Sequence, residues 1–130
     1  MAAPRKARAL PKGQQTKAAI VDAALRMAAQ VGLEGLSIGE LATAVGMSKS
    51  GVFAHFGSRE DLQRSVLDWT AQRFTDTVVR PALAQPRGLQ RLRAIVWGWF
   101  DWVLANEEGC VILGAAGEYD GRAQDHATFL

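Results

Sequence analysis

The chain has 130 residues, 15 Lys+Arg against 13 Asp+Glu, and a formal charge of +2. That length allows one domain, or a small domain with part of a second. At 48% hydrophobic and 22% charged residues, the composition excludes a wholly disordered chain.

Residues 1–15 contain Pro4, Pro11, Gly13 and several basic side chains, and are expected to form a flexible basic arm with no apolar block of a secretory signal behind it. The charge is unevenly divided. Residues 1–59 hold eight basic and three acidic residues, +5, and residues 60–130 hold seven and ten, −3. A polyanion partner for the N-terminal half follows from that split. A tail of this kind taken alone would also serve as a solubilising extension.

Residues 16–31 place Ile20, Ala24, Met27 and Val31 at helical spacing, and Gly32 is the expected stop. Ser37-Ile38-Gly39-Glu40 reads as a capping box, with Leu36 and Leu41 as its hydrophobic staple. Gly46 ends that short helix after Val45. Ser48 caps another, which Gly57 ends after Phe56. Ile38, Leu41, Ala42, Val45, Val52, Phe53 and Phe56 are expected to share one small core with the first helix. Ser58-Arg59-Glu60-Asp61 opens a fourth helix, with Leu62, Val66 and Trp69 on one face. Pro81 and Pro86 bound an expected linker.

A fifth helix is predicted from about Gly88 to Asn106. Its stretch Ile95–Leu104 is apolar nearly all round, which predicts burial on most sides. Gly98 and Asp101 interrupt it, so it falls short of the roughly 18 residues of a membrane span. Residues 110–117 are read as a helix, although Cys110–Leu113 would suit a strand by periodicity alone. The single cysteine, Cys110, excludes an internal disulfide framework and a cysteine-cluster metal site. It fits a reducing, cytoplasmic setting. The expected fold class is all-α.

Two short helices joined by a glycine-containing turn and braced by a preceding helix make a helix-turn-helix. The second helix of that motif enters the DNA major groove with its N-terminal residues at the base edges. Here those residues are Ser48, Lys49, Ser50 and Gly51. Lys49 can reach guanine acceptors or a phosphate, and Ser50 can donate or accept. Gly51 permits close backbone approach. Arg59 stands in the first turn of its helix, where the macrodipole disfavours a cation and a bound phosphate would reverse the sign. His55 has no partner at metal-ligand spacing on its own helix, and no cofactor or metal site is expected.

The run Gly35-Leu36-Ser37-Ile38-Gly39-Glu40-Leu41-Ala42 through Val45-Gly46-Met47-Ser48-Lys49-Ser50-Gly51-Val52-Phe53-Ala54-His55-Phe56-Gly57-Ser58-Arg59-Glu60-Asp61-Leu62 resembles the N-terminal domain of the TetR family of bacterial transcriptional regulators. The resemblance covers residues 16–68. It implies three DNA-binding helices in residues 16–62 and a long fourth helix leading into an effector-binding and dimerisation domain, incomplete here, over 63–130. It implies a homodimeric repressor on a palindromic operator of double-stranded DNA, released by a small apolar effector. By position, Ser37 and His55 match phosphate contacts, and Lys49, Ser50 and Gly51 match the base-reading stretch. Arg59 matches a basic phosphate grip, usually lysine. Phe53 departs from the pattern, because the tyrosine common there has a phosphate-binding hydroxyl that phenylalanine lacks. Family members usually continue well beyond 130 residues.

Trp69, Trp97, Trp99 and Trp102 are many for this length. They fit core packing. Trp69, Trp99 and Trp102 also fit the aromatic wall of an effector pocket. Without further C-terminal helices these surfaces would be exposed instead. An enzyme is not expected. Cys110 lies in an apolar run, His126 sits in a polar tail with no motif joining the two, and Glu107 and Glu108 are consecutive and do not converge. The rival to a DNA-binding regulator is a helical module that binds a partner protein without operator recognition.

Overall fold

In the computed structural model, residues 11–106 and 109–119 are described, so residues 1–10 of the expected arm, and Glu107, Glu108 and His126, lie outside the description. The elements are α1 (Lys12–Val31), α2 (Ile38–Val45), α3 (Lys49–His55), α4 (Arg59–Phe74), a π-helical turn (Thr75–Val79), α5 (Arg80–Leu83), α6 (Leu89–Ala105) and α7 (Val111–Tyr119). The fold is all-α. The helix reading of residues 110–117 holds over its strand alternative.

The first helix begins at Lys12, four residues ahead of the expected start, so the last part of the expected arm is helical. Its buried stripe is Ile20, Val21, Ala24 and Ala28. Met27 is only partly buried and Val31 is 57% exposed. The true stripe runs at steps of four, and the small alanines let neighbouring helices approach. Gly32 (φ 80°) ends α1, its N–H donating to Ala28 O at 2.9 Å.

Three serines start the next three helices. Ser37 Oγ accepts from Glu40 N at 3.3 Å, Ser48 Oγ from Gly51 N at 3.0 Å, and Ser58 Oγ from Asp61 N at 3.1 Å. Each bond satisfies an N–H that the helix start would otherwise leave open, worth about 1 kcal/mol. Leu36 and Leu41 are both buried, as a staple requires. Gly46 (φ 69°, ψ 32°) makes the left-handed turn between α2 and α3, a conformation that L side chains resist.

The core of this bundle contains Ile20, Ala24, Leu33, Leu36, Leu41, Ala42, Val52, Phe56, Leu62 and Val66. Val111 and Ala115 of α7 close the same cluster, so a helix that the sequence assigns to the second region packs on α1 and α4. On α3, Val52 and Phe56 are buried while Phe53 is 43% exposed. Positions i and i+4 share a face, and Phe53 lies about 100° round from Val52. Phe53 therefore leaves the expected core. On α4 the buried face is Leu62, Gln63, Val66 and Thr70 rather than one including Trp69, which is 44% exposed.

The expected linker at Pro81 is helical instead. Pro81 sits in α5, directly after the π-helical turn. Proline lacks an N–H and its ring crowds the carbonyl one turn back. A widened turn on its N-terminal side removes that conflict, and the helical path continues to Leu83. The connection to α6 is then 84–88.

The greatest departure from expectation is α6. Of its 17 residues only Trp102 is buried. Leu89, Leu92, Trp97, Phe100 and Leu104 are all more than half exposed. It packs on α5 and on the π-helical turn, where a Cβ on Gly98 would lie 3.1 Å from Val78 Cγ1, and through Trp102 on Phe74 of α4. Among the described residues nothing covers its other sides.

Candidate nucleic-acid interface

The N-terminal turn of α3 presents Lys49 and Ser50 to solvent. The helix is fixed from behind by Val52 and Phe56 in the core and from its start by the Ser48 cap. Ser48 Oγ also lies 3.1 Å from Ser50 Oγ, so the two hydroxyls are held as a pair. Phe53 and Ala54 continue the exposed face, and His55 is half-buried at the end of the helix. Gly51 has no room for a larger residue without displacement: a Cβ there would lie 3.2 Å from both Met47 Cε and Ser48 Oγ.

Lys49 reaches back across α2. A Cβ on Gly39 would lie 3.0 Å from Lys49 Cε and 3.5 Å from its Nζ. Gly39 thus provides the surface on which the lysine lies, close to Ser37 at the start of α2. An ammonium beside a helix N-terminus is electrostatically disfavoured. The arrangement gains when an anion lies between the open N–H groups and the ammonium. Lys17 is engaged differently. Its Nζ lies 5.3 Å from the centroid of the Phe56 ring and ties α1 to the end of α3.

Arg59 is half-buried and not free. Its Nη2 donates to the Glu34 carbonyl, in the turn between α1 and α2, and its buried Nε has no partner among the described residues. That turn is held at four successive backbone groups. Gln63 Nε2 donates to Leu33 O at 2.8 Å. The two carboxylate oxygens of Glu118, on α7, accept from Leu33 N at 3.0 Å and Glu34 N at 2.8 Å. Gly32 lets the carboxylate in, since a Cβ there would fall 2.5 Å from Glu118 Oε1. Sequence reasoning missed Gln63 and Glu118 because neither lies in a local motif.

The three tryptophans proposed as an effector wall are not brought together. Trp102 is 7% exposed and packs edge-on against Phe74, ring centroids 5.5 Å apart. It lines a cleft with residues of α1, α4 and the start of α7. Trp69 and Trp99 are not among the residues lining that cleft. Trp99 is 41% exposed and stacks on Phe100 at 6.2 Å. Spacing of three along a helix put Trp99 and Trp102 on one side, but only Trp102 has neighbours to cover it. No group of three or more metal-ligating side chains occurs among the described residues, and no helix there is long and apolar enough to cross a membrane.

A capped, exposed second helix set against two bracing helices by a left-handed glycine turn defines a helix-turn-helix domain. Residues 20–66 match the family model described as bacterial regulatory proteins, tetR family. Over 51 residues the chain is 37% identical to the HTH-type transcriptional regulator AcrR of Shigella flexneri. The aligned part is 39% of this chain and 24% of that protein, so the chain spans about a quarter of the length of the curated relative it matches. Residues 20–66 thus match an N-terminal domain of the TetR family.

Proposed function

We propose that the chain carries the DNA-reading part of a transcriptional repressor, which binds a palindromic operator in double-stranded DNA as a homodimer and is released by a small apolar effector. The observation that carries the reading is the α3 face: Lys49 and Ser50 exposed on a helix whose cap and buried side chains fix its orientation. Residues 1–15 act as the basic arm, 16–62 as the DNA-binding unit and 63–130 as part of the effector and dimer region. Ser48, Lys49, Ser50 and the backbone at Gly51 face base edges. Ser37 and His55 face phosphates, Phe53 packs against sugar, and Arg59 offers its remaining N–H groups to a phosphate while bracing the α1–α2 turn. The family match supports a regulator rather than an enzyme.

The test is a salt-resolved binding assay on the DNA upstream of the chain's own coding sequence, with light scattering to count protomers. Nanomolar binding that weakens steeply with salt is expected, at two protomers per site. The exposed apolar face of α6 favours a second reading, a module that docks on a partner protein. Absence of DNA binding at low salt would favour that reading.

A further inference from the structure

The last turn of a helix carries partial negative charge and disfavours a carboxylate, yet Glu118 stands in the last turn of α7. Its two oxygens compensate by accepting from Leu33 N and Glu34 N. Both ends of α7 are fitted closely to α1 and the turn after it. A Cβ on Gly109, just ahead of α7, would lie 2.8 Å from Ala29 O, and one on Gly32 would lie 2.5 Å from Glu118 Oε1. Between these points Val111 and Ala115 are buried in the core of the bundle. The Glu118 contact therefore belongs to a seated helix.

What this seat holds is the support of Arg59. The peptide unit between Leu33 and Glu34 is planar, and it is gripped at both ends. Gln63 of α4 donates to its C=O, and Glu118 of α7 accepts from its N–H. The next carbonyl, Glu34 O, accepts from Arg59 Nη2. Gln63 lies four residues after Arg59 and so shares its face of α4. The buried Arg59 Nε has no partner among the described residues, so the guanidinium takes its direction from the Glu34 carbonyl. We propose that Glu118 is a positioning residue for DNA binding: a seated α7 fixes the 33–34 peptide, that peptide fixes Arg59, and lifting α7 loosens the phosphate grip. This rests on the reading of Arg59 as a phosphate contact and adds a route by which the C-terminal region regulates it. Charge alone predicts the opposite sign, because removing a carboxylate makes the chain more positive and favours DNA.

The experiment is a double-mutant cycle on the full chain, with Kd measured for a duplex from upstream of its own coding sequence and for a random duplex. Glu118→Ala is expected to weaken both duplexes about three- to tenfold, since a phosphate grip is sequence-independent. Glu118→Gln keeps one acceptor oxygen, folds if the alanine variant does not, and is expected to weaken both by less. In an Arg59→Ala background the effect of either change should fall below about twofold, because the two residues act through one peptide. A structural role alone would lower affinity equally in both backgrounds. Unchanged or tighter binding in Glu118→Ala and Glu118→Gln would overturn the proposal, as would equal losses with and without Arg59. A parent chain that binds no DNA at low salt refutes the phosphate reading, and NMR then decides the coupling. Hydrogen exchange at Arg59 Nε is expected to be about tenfold faster in Glu118→Ala, and unchanged exchange would overturn the coupling by itself.

Discussion

The bundle of α1 to α4 and the single helix α6 are both rich in apolar residues, yet they meet opposite fates. In the bundle, Ile20, Leu33, Leu41, Val52, Leu62 and Val66 are all fully buried. On α6 a denser apolar sequence leaves all but Trp102 outside. Hydrophobicity alone does not decide burial. The bundle has four helices crossing at short turns, so each apolar stripe meets another. Among the described residues, α6 meets chiefly the π-helical turn and α5. The bundle is thus a closed unit, and α6 is an open surface.

That contrast predicts unequal sensitivity to truncation. Leu62→Ala, at a fully buried site, should cost about 2–5 kcal/mol in urea unfolding. Leu104→Ala on α6, 74% exposed, should change stability by no more than about 0.5 kcal/mol. Comparable losses at both sites would mean that α6 is covered in solution and would break the comparison.

Glu118→Ala comes next in size. It leaves the Leu33 and Glu34 N–H groups without their carboxylate acceptor. The expected cost is about 1 kcal/mol, because Leu33 N is only part-buried and Glu34 N can turn to water. Amide exchange at Leu33 should quicken in step, and unchanged exchange would show that α7 does not hold this turn. The caps are expected to matter to a similar degree. Ser48→Ala should cost about 1 kcal/mol, and Ser48→Gly only a few tenths of that. If Ser48→Ala is silent in stability, the recognition helix is oriented by Val52 and Phe56 alone.

The three serine caps were legible because each is a bond across three residues, and a motif of four letters contains both partners. The helix-turn-helix followed from the caps and from Gly46. Gln63 and Glu118 were not legible. Their partners lie 30 and 84 or 85 residues away, and no periodicity marks a glutamine or glutamate that will meet a distant backbone. In the sequence Arg59 is a cation in the first turn of its helix, placed for a phosphate. The Glu34 carbonyl that it grips comes near only once α1 and α4 pack. Phe53 and Trp69 were misplaced for a different reason. Each is apolar and adjacent to a buried stripe, and a rotation of about 100° per residue separates a core position from a solvent one. Pro81 marked a break by the ordinary rule, but the π-helical turn ahead of it lets the helix pass.

The central claim is that the start of α3 reads bases. It is tested most directly by comparing Lys49→Ala with the parent chain on a selected operator and on a random duplex of equal length. The account predicts a loss of about 1–3 kcal/mol of discrimination, concentrated on the operator. An equal loss on both duplexes would contradict it and leave Lys49 as a phosphate contact alone.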